Sequence, residues 1–260
     1  MELWVSLRAK FLRKLRATGP KLFRDFEPHF EELRRRFLFS FWAFLAATIV
    51  SYFFSSQLLN LLTQPLKTYD PQVSLFFQKP YEAFLTHIKI ACTAGFVISC
   101  PVIFSQAWSF LTPGLYDREK KMILPLILTT TALFLFGVWF GYRWVIPWGI
   151  HFLLSYQTEM MKPLLGVGPY FSFLISMLLA FGILFDFPVV IIGLVKLGIV
   201  ETQTLASMRK GIILTIFIVA AVLTPSPDPV SQLLLAIPLW ILFELSLLIA
   251  GVIERKRKIA

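Results

Sequence analysis

Charge is scarce in this 260-residue chain: Asp, Glu, Lys and Arg together make up only 15% of it. A soluble domain carries about 25%, so an extensive water-facing surface is excluded. Histidine occurs three times, at His29, His87 and His151, with no ligand spacing among them. Cysteine occurs twice, at Cys92 and Cys100, both in apolar sequence. A disulfide framework and a bound metal or other cofactor therefore find no support, and buried free thiols are the plain reading. There is no glycine-rich phosphate loop, no His-Glu-x-x-His helix and no serine with a base at matching depth, so enzyme chemistry is not expected. No internal repeat is visible, which counts against inverted-repeat transporters. No apolar core followed by a small-residue cleavage site marks the first 28 residues as a signal peptide.

What is abundant is apolar sequence. Hydrophobic residues form 57% of the chain, with 27 Phe, and the mean hydropathy is +0.73. The formal charge of +10 could suggest nucleic acid, but the basic residues cluster at the ends of apolar runs instead of lining a groove. That is the pattern of an integral membrane protein without a nucleic-acid partner. A span needs about 20 mostly apolar residues. Phe37–Gln57, Phe84–Leu111, Met122–Val145 and Phe171–Leu197 qualify. Ile212–Leu223 and Gln232–Ile253 are weaker, and the former offers about 18 Å of helix against a core of about 30 Å. Six helices are expected, with short fifth and sixth members. The connections Ser56–Tyr81 and Pro147–Pro169 should carry short capping helices, Trp148–Tyr156 among them, and Thr224–Pro229 is a proline-rich turn.

Orientation follows from Lys and Arg. With six spans, the N-tail, the loop Thr112–Lys121, the loop Lys196–Lys210 and the C-tail share one side. They hold ten, three, three and four basic residues, or 20 of the 25. The asymmetry predicts both termini in the cytoplasm, and five or seven spans would break it. Three segments result: a basic cytoplasmic extension over 1–28, a transmembrane domain over 29–253 and a basic cytoplasmic tail over 254–260. In the extension, Leu3, Leu7, Phe11 and Leu15 recur every four positions between basic residues. This reads either as a helix lying on an anionic membrane surface or as a flexible tail that reinforces topology.

Polar groups inside the spans are costly and mark candidate sites. Asp186, two residues before Pro188, is the foremost: a protonated acid bonded to a neighbouring helix, a contact for a partner's helix, or a proton or ion site. Glu244 raises the same question in the sixth span. Lys89 can snorkel outward, and Gln106 suits an interhelical hydrogen bond. In the cytoplasmic segments, Glu31, Glu32, Asp117 and Glu119 either neutralise nearby arginines or jointly bind a guanidinium-bearing ligand through fork-shaped hydrogen bonds. Spacing alone does not decide between these.

The ordered motifs resemble a known family. They are His29-x-x-Glu32-Leu33-Arg34; Pro80-x-Glu82-x-Phe84-x-Thr86-x-x-Lys89; Pro101-x-Ile103-x-x-Gln106-x-Trp108-x-Phe110-x-x-Pro113-Gly114-Leu115-Tyr116-x-x-Glu119; Phe181-Gly182 to Pro188; and Leu223-Thr224-Pro225 to Asp228-x-x-Ser231-Gln232 to Pro238. Together they are similar to the TatC family, multispanning receptors of the twin-arginine protein translocase, over about residues 29–252. The resemblance implies an all-α, concave, glove-like bundle of six transmembrane helices in the bacterial cytoplasmic (inner) membrane. It implies binding of twin-arginine signal peptides on folded precursors and recruitment of the single-span partners TatA and TatB. It further implies self-association in a multimeric receptor complex and transport driven by the proton-motive force. Carried onto this sequence, Glu32 and Glu119 would hold the signal's arginines, with Arg34 and Phe110 close by. Asp186 would meet the partner's transmembrane helix, where the family usually has Glu or Gln. Asp228 and Gln232 match the outer turn and the start of the sixth helix. The competing readings are a small-solute or proton transporter with Asp186 and Glu244 as its relay, and a pure assembly scaffold.

Overall fold

In hydrocarbon no water is at hand for backbone N–H and C=O groups, so the long apolar runs satisfy them internally as helices. The computed structural model describes residues 31–69, 71, 73–111, 123–157, 164–196, 198–223 and 229–259. The N-terminal extension lies outside them, as do His29, Asp117, Glu119 and Asp228. Helix α1 covers Glu31–Phe53, and α2, Ser55–Tyr69, follows it through a bend at Phe54. Helix α3 covers Glu82–Leu111.

The third span is longer than its sequence suggests. Helix α4 (Ile123–Phe140), a π turn (Gly141–Val145) and α5 (Ile146–Leu154) run on as one 32-residue segment. The piece expected to be a separate cap from Trp148 is the end of that span. The Ile146 N–H bonds the Gly141 carbonyl, five residues back. Pro147 then falls in the first turn of α5, where a missing N–H is tolerated.

The fourth span is two helices, α6 (Val167–Phe185) and α7 (Phe187–Lys196), joined at Asp186. Pro188 has no N–H to return to the Leu184 carbonyl, and the helix breaks just ahead of it. After the short α8 (Thr202–Ser207) comes α9, Arg209–Leu223, with 15 residues. It is the weak fifth span and reaches about 22 Å. Helix α10, Pro229–Ile259, has 31 residues, so the sixth helix is not short. Its basic tail consists of good helix formers and extends the helix instead of ending it. Among the described residues five segments are long and apolar enough to cross a membrane; α9 falls below that length.

Without a hydrophobic drive between helices in lipid, close contact supplies cohesion, and small residues permit it. Helix α6 packs on α4 and α3, while α10 packs on α7 and α9. A Cβ added at Gly137 would collide with the Phe181 carbonyl, and one at Gly182 would stand 2.7 Å from the Phe134 ring. The fully buried Phe134 is edge-on to Phe96 and Phe104. Helix α1 meets α3 at Gly95, where a Cβ would lie 2.7 Å from the Thr48 backbone.

The bundle has two unlike ends. At one, two-residue strands β1 (Leu75–Phe76) and β2 (Leu165–Gly166) pair in parallel and join the two long connections. Beside them Glu82 accepts from the backbone N–H groups of Gln78 at 2.7 Å, Lys79 at 3.4 Å and Gly168 at 2.7 Å. One carboxylate thus fastens the starts of α3 and α6. Pro65 leaves the Leu61 carbonyl without its helical donor, and the Tyr142 hydroxyl donates to it at 2.7 Å. Tyr170 does the same to the Leu62 carbonyl at 2.9 Å. This is the loop end; the basic end, with Arg34–Arg36, Arg209 and Arg255, is opposite.

Candidate functional site

The basic end begins with the first turns of α1. Glu32 and Arg36 are four residues apart, which places them on one helix face. Their side chains form an ion pair between Arg36 Nη2 and Glu32 Oε1, with 17% and 24% of the side chains exposed. Arg36 also reaches across to α3, where Nη1 donates to the Gln106 carbonyl at 3.4 Å. Its Nε is buried without a hydrogen-bond partner among the described residues. The guanidinium is therefore shared between a carboxylate on its own helix and the backbone of the neighbouring one.

Below this cluster, α1 and α3 diverge to enclose a groove of about 550 Å³. Its walls are overwhelmingly apolar, with Phe37, Phe41 and Phe44 on α1 facing Phe96, Ile103 and Phe110 on α3. Arg36 and Gln106 stand among the residues lining it. The arrangement can hold an extended apolar segment with a cationic group at its head, because the acid is at the rim and the hydrocarbon walls are beneath it.

The expected site residues are distributed unevenly. Gln106 and Phe110 line the groove, and Glu32 joins them through its pair with Arg36. The bond between α1 and α3 at Gln106 uses its main-chain carbonyl and not the side-chain amide. Arg34 is exposed and is not among the groove's lining residues; Arg36 is. Glu119 lies outside the described residues. Asp186 sits between α6 and α7, about 15 Å of helix from Lys196, and its Oδ1 is buried with no hydrogen-bond partner among the described residues. Glu244 pairs with Arg209 at 3.1 Å, tying α10 to the start of α9. That pairing removes the motive for a two-carboxylate relay. Lys89 donates to the Ser172 hydroxyl at 3.1 Å, and Gln232 donates to the Phe217 carbonyl at 2.9 Å. Both are ties between helices. Among the described residues no cluster of His, Cys, Asp or Glu could hold a metal.

Two residues outran the sequence reading. In the sequence Arg36 counts only as one of the ten basic residues of the N-tail, although its four-residue spacing from Glu32 is visible. Glu82 stood out only as part of a motif, because its three backbone donors come from a turn and from a segment 86 residues away.

Known proteins match along most of this chain. The profile of the family described as Sec-independent protein translocase protein (TatC) matches residues 28–238. The Sec-independent protein translocase protein TatC of Magnetococcus marinus is 39% identical over 230 residues, covering 88% of this chain and 84% of its own. The protein of the same name from Carboxydothermus hydrogenoformans is 40% identical over 228 residues, covering 88% and 93%. In structure, the crystallised twin arginine translocase receptor TatC in DDM superposes with a TM-score of 0.79 at 37% identity, covering 85% of this chain and 99% of that one. These relatives are named as translocation components, not as enzymes.

Proposed function

The chain belongs to the TatC family of Sec-independent protein translocase proteins, and from that premise we propose that it is the signal-peptide receptor of a twin-arginine translocase. It resides in a bacterial cytoplasmic membrane with both termini inside, so the basic end faces the cytoplasm. Its ligands are the twin-arginine signal peptides of folded precursors. It self-associates and recruits TatA- and TatB-type single-span partners, and the proton-motive force drives transport.

One observation carries the reading: the Glu32 carboxylate is paired with Arg36, which lines an apolar groove walled by Phe37 and Phe110. A signal peptide has the matching order, a cationic head followed by an apolar run of about 7–15 residues. Glu32, with Glu119 from the following loop, takes the arginine pair, and the groove takes the start of the apolar run. A carboxylate prefers guanidinium to ammonium here because two parallel N–H donors match its two oxygens. Asp186 provides the contact for a partner's transmembrane helix, supported by its unpaired, buried Oδ1 at a break in the fourth span. Measuring the affinity of a labelled twin-arginine peptide for Glu32→Gln and Glu119→Gln variants tests the site. Unchanged binding in both would sink the reading.

A further inference from the structure

The Glu32 carboxylate is not waiting empty. Within the described residues a guanidinium already occupies it, that of Arg36 one helical turn along α1. The same guanidinium keeps a second anchor on the Gln106 carbonyl of α3. It therefore has somewhere to remain if Glu32 lets go. Its Nε, buried and unpartnered, adds a donor that the present arrangement leaves unsatisfied.

We propose that Arg36 is an internal placeholder, a built-in arginine that an arriving cationic head must displace from Glu32, and that this displacement sets the affinity threshold of the site. The inference rests on the receptor reading above and names a further residue that tunes binding within it. Exchanging one guanidinium for another leaves Glu32 paired throughout, while Arg36 keeps its bond to the Gln106 carbonyl. An arginine and a lysine ligand must break the same Arg36–Glu32 pair, so its cost lowers both affinities by the same factor. The difference between them stays in the bound pairs, where an ammonium lacks the planar fork of a guanidinium. Without Arg36 both ligands bind more tightly. A residue that merely oriented Glu32 would act with the opposite sign, since its loss would weaken binding.

The test uses the full-length protein in detergent with fluorescent twin-arginine and twin-lysine signal peptides, read by anisotropy. Arg36→Gln is expected to tighten both peptides by about the same factor, on the order of tenfold, the equivalent of about 1.4 kcal/mol. The ratio of the two affinities should stay unchanged. Arg36→Lys keeps the charge and the topology signal, and it loosens the placeholder without removing the positive field. It should tighten the twin-arginine peptide, whereas simple like-charge repulsion predicts no change. Weaker twin-arginine binding in Arg36→Gln, or an unaltered twin-arginine affinity in both variants, overturns the placeholder. Glu32→Gln separates the two failures: if it leaves both peptides unaffected, the receptor assignment of Glu32 has failed; if it weakens the twin-arginine peptide while the Arg36 variants do nothing, only the placeholder has.

Discussion

Glu82 and Glu32 are carboxylates at opposite ends of the same bundle, and they are bonded in opposite ways. Glu82 takes three backbone N–H groups from two connections. Backbone donors are fixed by the fold and cannot leave without unfolding something. Glu32 is held within the described residues by one side chain, which has a second acceptor within reach. Side-chain donors can exchange. Chemical identity therefore does not separate the structural acid from the proposed binding acid here; the mobility of the donor does. The surroundings agree, since Glu82 lies beside a strand pair, whereas Glu32 overlooks an open groove.

Crossed substitutions break this comparison most directly. The largest effect is expected from Glu82→Ala, which strips the acceptor from three N–H groups. It should lower the melting temperature in detergent more than any other change considered, while the surviving folded protein binds signal peptide normally. Glu32→Gln should do the reverse, with little change in melting and a loss of peptide affinity equivalent to about 1.5–3 kcal/mol, the worth of a hydrogen bond to a charged group. If both variants melt early and bind normally, the two acids are alike and the contrast fails. Next in size comes Tyr170→Phe, which removes a buried hydroxyl from the Leu62 carbonyl and should cost about 0.5–1.5 kcal/mol in denaturant titrations. It sharpens the view that the loop end is built for rigidity. The smallest is Arg209→Gln, which breaks a pair in which Arg209 is half exposed. A loss above about 1 kcal/mol would mean that α9 depends on this pair far more than an exposed ion pair allows.

Much of the basic end was legible because its signals are local. Spans announce themselves through apolar runs, and Lys and Arg mark their ends. The break at Asp186 was foreshadowed by Pro188, whose missing N–H acts on residues four positions away. The length of α9 could be read from its composition. The loop end was far less legible. Strands of two residues carry no periodicity, and Leu75 finds Leu165 only after α3 and the third span have folded between them. The third span was cut short because Pro147 reads as a terminator unless the π turn before it is known. The sixth was underestimated because charge was equated with an end of helix, although Glu254 to Lys258 suit a helix outside hydrocarbon as well as a loop. At the site itself, motif order selected Glu32 over Glu31, but a motif does not say which neighbour a side chain will choose. That choice fell to Arg36.

The tight meeting of Gly95 and Thr48 has a mechanical consequence. Twelve residues separate Thr48 from Arg36, about 18 Å along α1. Since the helices touch backbone to backbone at Gly95, α1 is a lever whose fulcrum is that glycine and whose working end is the rim. A tilt of about 10° there carries Arg36 some 3 Å, by the same rise per residue. That is about the length of the bond it makes to Gln106. Exchange of partners at Glu32 and rotation of the first helix are thus motions of comparable size, and spin labels on α1 and α3 at the basic end should record both in one distance.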